Sequence, residues 1–293
     1  MDQCQQRLYW QNLNLKFFIM VKLCLGSANF GSRYGLDNKK INKKKILEIA
    51  EIAKINKLFT VDTSFEYFNS HQTLKKVINK KTNINTKIFL NKNSNFISVK
   101  KKILDLNKKS ISKIYSVLFH NQNDALQIKK IKLLKKLKAE GLISKIGVSV
   151  YDLPVLKNIL KLWIPDIVQF PVNPFNHDFV SRNLLKKLKR EKIIIFGRSI
   201  FLQGMLVKEY DSLAHTFKKD LKSWFNFCKS NSIHPVKVCL DFCRSIKEID
   251  FLIVGVQDAE ELKQIIRYFN QPKKISLKSI IEKKYRKIDL RKI

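Results

Sequence analysis

The strongest constraint on this chain is an alternation. Short β-rich apolar runs recur along most of its length, and lysine-rich amphipathic runs separate them. The apolar runs are VKLCL (21–25), LFTV (58–61), KIFLN (87–91), IYSVLF (114–119), KIGVS (145–149), DIVQF (166–170), KIIIF (192–196) and FLIV (251–254). Runs of this length read as strands buried on both faces, and helices between them call for a parallel sheet. The intervening segments carry helical periodicity. In KKKILEIAEIAKI, Ile46, Ile49, Ala50 and Ala53 share one face, with lysines around the other. DALQIKKIKLLKKLKAEG is expected to open on Asp124 as N-cap and to close on Gly141. DAEELKQIIRYF is expected to start at Asp258, with acids in its first turn. Eight such βα repeats predict a single-domain (β/α)8 TIM barrel. An open doubly wound sheet is the rival, but GSANFG (26–31) lacks the glycine spacing and helix start of its phosphate turn.

The barrel is expected to occupy residues 20–270. Residues 1–19 read as an N-terminal extension outside the fold, and 271–293 as a basic C-terminal tail. A formal charge of +34 raises the question of a nucleic-acid partner. The lysines are instead scattered over nearly every helix face, with no arginine-rich arm, RNP-like strand or zinc spacing. Nucleic acid is therefore not the expected partner, although the positive field favours an anionic cofactor or substrate. Five cysteines without framework spacing exclude a disulfide scaffold, and Cys239 and Cys243 read as small core residues. No metal site is expected. No run reaches the length of a membrane span, and the N-terminus lacks the basic start and clean apolar core of a signal peptide. A cytoplasmic protein is expected.

In a TIM barrel the chemistry stands at the C-terminal ends of the strands. The second run ends in Asp62, with Tyr67 on the loop beyond; the third ends in Lys92 and the fourth in His120. An ammonium beside a phenol stabilises the phenolate and lowers its pKa. Asp62 would hold Lys92 charged, Tyr67 would protonate a carbonyl as hydride arrives, and His120 would orient the carbonyl oxygen. Singly each residue has a structural reading, as a helix cap, a rim aromatic, one lysine among dozens or a satisfied histidine; together they form an acid catalyst.

The segments LGSANFG, VDTSFEYFNS, NK, FHN, GLISKIGVSVY, IVQFPVN, GRSIFLQGML and IVGV resemble the aldo/keto reductases, from about Val21 to Phe269, with Lys92 matching the family's lysine and His120 its histidine. Asp62, Thr63, Ser64, Tyr67, Asn69 and Ser70 match a family segment, whereas Phe68 and His71 depart from it. The resemblance implies reduction of an aldehyde or ketone with NADPH or NADH, with Tyr67 as general acid. It also implies cofactor contacts from Ser149, Gln169, Arg198, Ser199, Phe201, Gln203, Gly204, Gly255 and Val256. Val150 replaces the Asn that usually follows Ser149, and Arg198 stands where a stacking aromatic is frequent. The family's usual preference puts NADP(H) ahead of NAD(H). The basic pair that binds the 2′-phosphate in many members is missing, with Gly255 and Glu261 in its place and Lys263 as the nearest substitute. The insertion at about 205–248 should cap the barrel mouth, its aromatics Tyr210, Phe217, Trp224, Phe225 and Phe227 mostly packing against the barrel. Two rival readings are a catalytically silent barrel serving as a regulatory or binding subunit, and a basic nucleic-acid-binding protein.

Overall fold

The computed structural model describes residues 21–31, 33, 41–67, 70–74, 78–109, 112–213, 215–271 and 288. The expectations for 1–19, for Cys4, Phe68 and Asn69, and for the tail apart from Gln271 and Ile288 lie outside these residues. Eight parallel strands close on one another in chain order, β1 to β8, as a barrel. They are β1 (Lys22–Gly26), β2 (Thr60–Ser64), β3 (Asn83–Ile88), β4 (Ile114–Phe119), β5 (Lys145–Ser149), β6 (Ile167–Pro171), β7 (Ile194–Arg198) and β8 (Phe251–Val254). Helices α1 (Lys43–Ile55), α2 (Ser70–Leu74), α3 (Phe96–Lys109), α4 (Ile128–Ala139), α5 (Leu153–Leu162) and α6 (Arg182–Arg190) follow the first six strands. After β7 come α7 (His215–Ser230) and α8 (Pro235–Arg244), and α9 (Ala259–Asn270) follows β8. Among the described residues no helix is long and apolar enough to cross a membrane.

The period-2 rule divides each strand between two environments. One set faces the helices: Ile84 and Ile88 of β3, Val117 and Phe119 of β4, Val168 and Phe170 of β6, all in the main core. The other set fills the barrel. Cys24, Leu118, Ile167, Phe196 and Ile253 form a separate apolar cluster there, with the Phe196 and Phe251 rings stacked at 4.6 Å. Gly147 of β5 is set by close packing, because a Cβ there would stand 2.3 Å from the Ile167 carbonyl oxygen of β6.

Several expectations hold at the level of single residues. Helix α1 buries the expected face of Ile46, Ile49, Ala50 and Ala53. Gly141 follows α4 at φ 68°, the left-handed region where glycine costs least. The Asp258 carboxylate caps α9 by accepting the Glu261 N–H at 3.0 Å. Cys239 and Cys243 are buried.

Two expectations fail. Asp124 is not the cap of a single long helix, because a 3-10 turn (Gln122–Leu126) precedes α4. Its buried carboxylate instead ties the chain after β3, accepting from Leu90 N at 3.3 Å and from Lys130 Nζ at 2.7 Å. The third strand begins earlier than the apolar run KIFLN suggests and ends at Ile88. Its sequence, NINTKI, puts polar residues on the inner face. That shift moves the catalytic candidate of this strand.

Candidate active site

Asp62 of β2 and Lys87 of β3 point into the barrel, on neighbouring strands whose register sets Ser64 opposite Lys87. Lys87 Nζ donates to Asp62 Oδ2 at 2.5 Å, and both side chains are almost fully buried. The same ammonium lies 5.3 Å from the centre of the Tyr67 ring. Lys92, the expected lysine, is exposed in a turn beyond β3 and takes no part in this group. Sequence reasoning missed Lys87 because it sought a polar residue after an apolar run. The signal available was the alternation in Asn83–Ile88, where a lysine occupies an inward position of a polar strand.

The Tyr67 phenol is pushed well above the ordinary tyrosine range, first by burial and then by the Asp62 charge, with Arg198 acting in the opposite sense. This reverses the expected lowering. The ammonium of Lys87 is matched by Asp62, so it supplies no unbalanced charge to the ring. Tyr67 therefore holds its proton. His120, directly after β4, meets the Tyr67 ring edge-on with centroids 6.0 Å apart. Its Nδ1 lies 3.1 Å from Glu66 Oε2 and 3.1 Å from Ser64 Oγ.

The opposite wall comes from β5, β6 and β7. Arg198 Nε donates to Ser149 Oγ at 3.2 Å, Ser149 Oγ donates to Gln169 Oε1 at 3.2 Å, and Gln169 Nε2 donates to Asp62 Oδ1 at 2.8 Å. These bonds join the two walls into one directed chain that ends on Asp62. Arg198 also donates from Nη2 to Val150 O at 3.1 Å, and its guanidinium lies over the Tyr151 ring at 3.9 Å. Sequence reasoning assigned no role to Tyr151 or Glu66, and neither carries a signal separable from ordinary loop residues.

Asp62, Tyr67, Lys87, His120 and the polar wall from Ser149 to Arg198 border one cavity of about 480 Å³ at the C-terminal ends of the strands, within the usual range for a small-molecule site. Ser199, Phe201, Gln203, Gly204, Gly255 and Val256 line it as well, so the expected cofactor positions are brought to one space. Ser199, Leu202 and Gln203 adopt left-handed φ values of 55°, 50° and 56°, a cluster of backbone strain typical of functional loops. Val207, His234 and Val236 bring the insertion into the wall, although its large aromatic Trp224 is buried away from it. His71 lies apart from the Asp62, Tyr67 and Lys87 group, bonded to Thr86 Oγ1 at 3.0 Å.

The cavity fits a nicotinamide dinucleotide. Beyond the polar wall, Asn29 Oδ1 is buried and accepts from no described residue, while Asn29 Nδ2 donates to Val256 O at 2.6 Å. An unmet acceptor bordering this cavity suits a ligand bearing hydroxyl or amide donors.

The family model of the aldo/keto reductase family matches residues 22–286. Among solved structures, the holo form of aldo-keto reductase AKR11C1 from Bacillus halodurans superposes with a TM-score of 0.74 at 14% identity, covering 91% of this chain and 93% of its own. The glycerol dehydrogenase AKR11B4 from Gluconobacter oxydans gives a TM-score of 0.69 at 14% identity, with 89% and 90% covered. No curated protein matches the sequence significantly. At such identities the two structures establish the fold, whereas the family match covers most of the chain. The chain belongs to the aldo/keto reductase family and is an NAD(P)-dependent oxidoreductase.

Proposed function

We propose that the protein reduces an aldehyde or ketone, with Tyr67 as proton donor, Lys87 and Asp62 as the buried pair beneath it, and His120 beside the reacting oxygen. The Lys87–Asp62 pair carries this reading. Two buried charges are costly unless matched, and leaving one without the other costs about 3–5 kcal/mol. Here they are held under a phenol at the mouth of a barrel. A bound nicotinamide would supply the hydride, two electrons and one hydrogen nucleus, that the carbonyl carbon takes up. Tyr67 gives its hydroxyl proton to the oxygen as charge develops there, and the product is an alcohol. Asp62 accepts hydrogen bonds at both oxygens, from Gln169 and Lys87, so it fixes the lysine and does not itself take the proton. Arg198 has no carboxylate partner among the described residues and is the cation placed to receive an anionic group of the substrate.

For the cofactor, the start of α9 favours NAD(H), and we take this ahead of the NADP(H) expectation. Two of the N–H groups there are already held by the protein's own acids: Glu261 Oε2 accepts from Gln257 N at 2.7 Å and Asp258 Oδ1 from Glu261 N, with Lys45 Nζ 3.5 Å from the other Asp258 oxygen. A 2′-phosphate would meet two carboxylates, whereas a 2′-hydroxyl can donate to one.

The test pairs binding with turnover. NADH and NADPH are titrated by fluorescence, and carbonyl reduction is followed in wild type, Tyr67→Phe, Lys87→Met and Lys92→Ala. The expected result is tighter NADH binding, kcat lowered at least a hundredfold in Tyr67→Phe and Lys87→Met, and Lys92→Ala within about twofold of wild type. Full activity in Tyr67→Phe would sink the assignment, and Tyr67→Phe decides the matter if Lys87→Met does not fold.

A further inference from the structure

His120 Nδ1 faces two oxygens. Ser64 has one hydroxyl hydrogen, and of the acceptors around it the Glu66 carboxylate oxygen Oε2 is nearest, at 2.5 Å against 3.3 Å for Lys87 O and 3.1 Å for His120 Nδ1, so the hydrogen goes to Glu66. Glu66 Oε2 lies 3.1 Å from Nδ1, and an ionised carboxylate only accepts. Its other oxygen, Oε1, accepts the Phe89 N–H at 3.0 Å, so the carboxylate is anchored to the chain just beyond β3. Burial alone would push the Glu66 carboxyl up. The His120 and Ser64 hydrogen bonds and the Phe89 N–H outweigh it and hold the carboxyl down at about 2, so Glu66 is ionised across the working range.

We propose that Glu66 is a positioning residue that fixes His120 in its Nδ1–H tautomer, so that the neutral ring turns an Nε2 lone pair, not an N–H, towards the cavity. A neutral imidazole carries one N–H, and the hydrogen bond made by one nitrogen decides the state of the other. With Nδ1–H committed to Glu66 and Ser64, neutral His120 can only accept at Nε2. It accepts from the Tyr67 hydroxyl or from the hydroxyl of a bound alcohol, and it donates to a carbonyl oxygen only as imidazolium. Tyr67 and His120 thus differ in kind: the first delivers a proton, while the second, when neutral, receives a hydrogen bond from the alcohol.

The kinetic consequence rests on the function proposed above, but the tautomer can be read without turnover. Protein labelled with 15N-histidine is examined by long-range 1H–15N correlation at about pH 9, above the ordinary imidazole range. The chain has five histidines, and the His120 signals are those lost in His120→Gln. Expected are an unprotonated Nε2 and a protonated Nδ1 in the wild type. In Glu66→Gln, whose amide can donate as well as accept, the two tautomers should mix or reverse. Alcohol oxidation should slow about tenfold in that variant, the low end for removing a histidine's orienting partner at metal sites, with NADH affinity unchanged. Wild-type His120 found in the Nε2–H form, or Glu66→Gln keeping the wild-type tautomer, would overturn the inference. The expected tautomer in a protein that turns over no carbonyl would uphold it and overturn the proposed function instead.

Discussion

Glu66 is a half-exposed carboxylate whose three hydrogen bonds keep it charged where an ordinary glutamate would not be. Its pKa is lowered from 4.5 to about 2, so its contribution to the folded state is complete above 4.5 and is lost as pH falls towards 2. Following the side-chain carboxyl carbon by NMR against pH should give a midpoint near 2, and one near 4.5 would mean that the His120 contact is not made in solution. Legibility at this scale depended on where a residue's neighbours come from. Asp62, Tyr67 and His120 could be read from the sequence because each follows or ends an apolar run. Lys87 could not, since the polar strand around it resembles a loop, and Lys92 after the apolar KIFLN offered a more conventional answer. Glu66 and Tyr151 acquire their meaning only from contacts made across the barrel mouth.

Among the elements, those with an unambiguous local pattern were the readable ones. Strands β4, β5 and β8 begin and end where their apolar runs do, and the caps at Gly141 and Asp258 follow from residue type alone. Asp124 misled because its carboxylate satisfies a distant backbone N–H, a tertiary use no cap rule anticipates. The left-handed Ser199, Leu202 and Gln203 were equally hidden, since none is a glycine. The insertion after β7 is anchored by Trp224, which is fully buried, donates from Nε1 to Leu206 O at 2.9 Å and meets the Phe175 ring edge-on at 6.1 Å. Trp224→Ala removes that packing and leaves the Leu206 carbonyl unpaired. It should cost about 3–5 kcal/mol in chemical denaturation. A loss under about 1 kcal/mol would show that the insertion folds back without this anchor.

On the scale of the whole molecule, a charge of +34 spread over the helix faces makes long-range attraction of a dinucleotide a bulk property. Raising salt from about 0.05 to about 0.5 M should weaken NADH binding severalfold through screening, measured by the same fluorescence titration. A salt-independent affinity would confine the recognition to buried contacts. The directed chain from Arg198 through Ser149 and Gln169 to Asp62 has a different consequence. The Ser149 hydroxyl hydrogen is committed to Gln169, its oxygen already accepts from Arg198, and one Gln169 amide hydrogen is held by Asp62. A ligand that takes the Ser149 hydrogen must therefore displace Gln169 from it, whereas the second lone pair of the Ser149 oxygen and the second Gln169 amide hydrogen can be met without any displacement. Contacts of the first kind only exchange one hydrogen bond for another, and those of the second kind add one, so discrimination among ligands rests on which of the two a ligand's shape reaches.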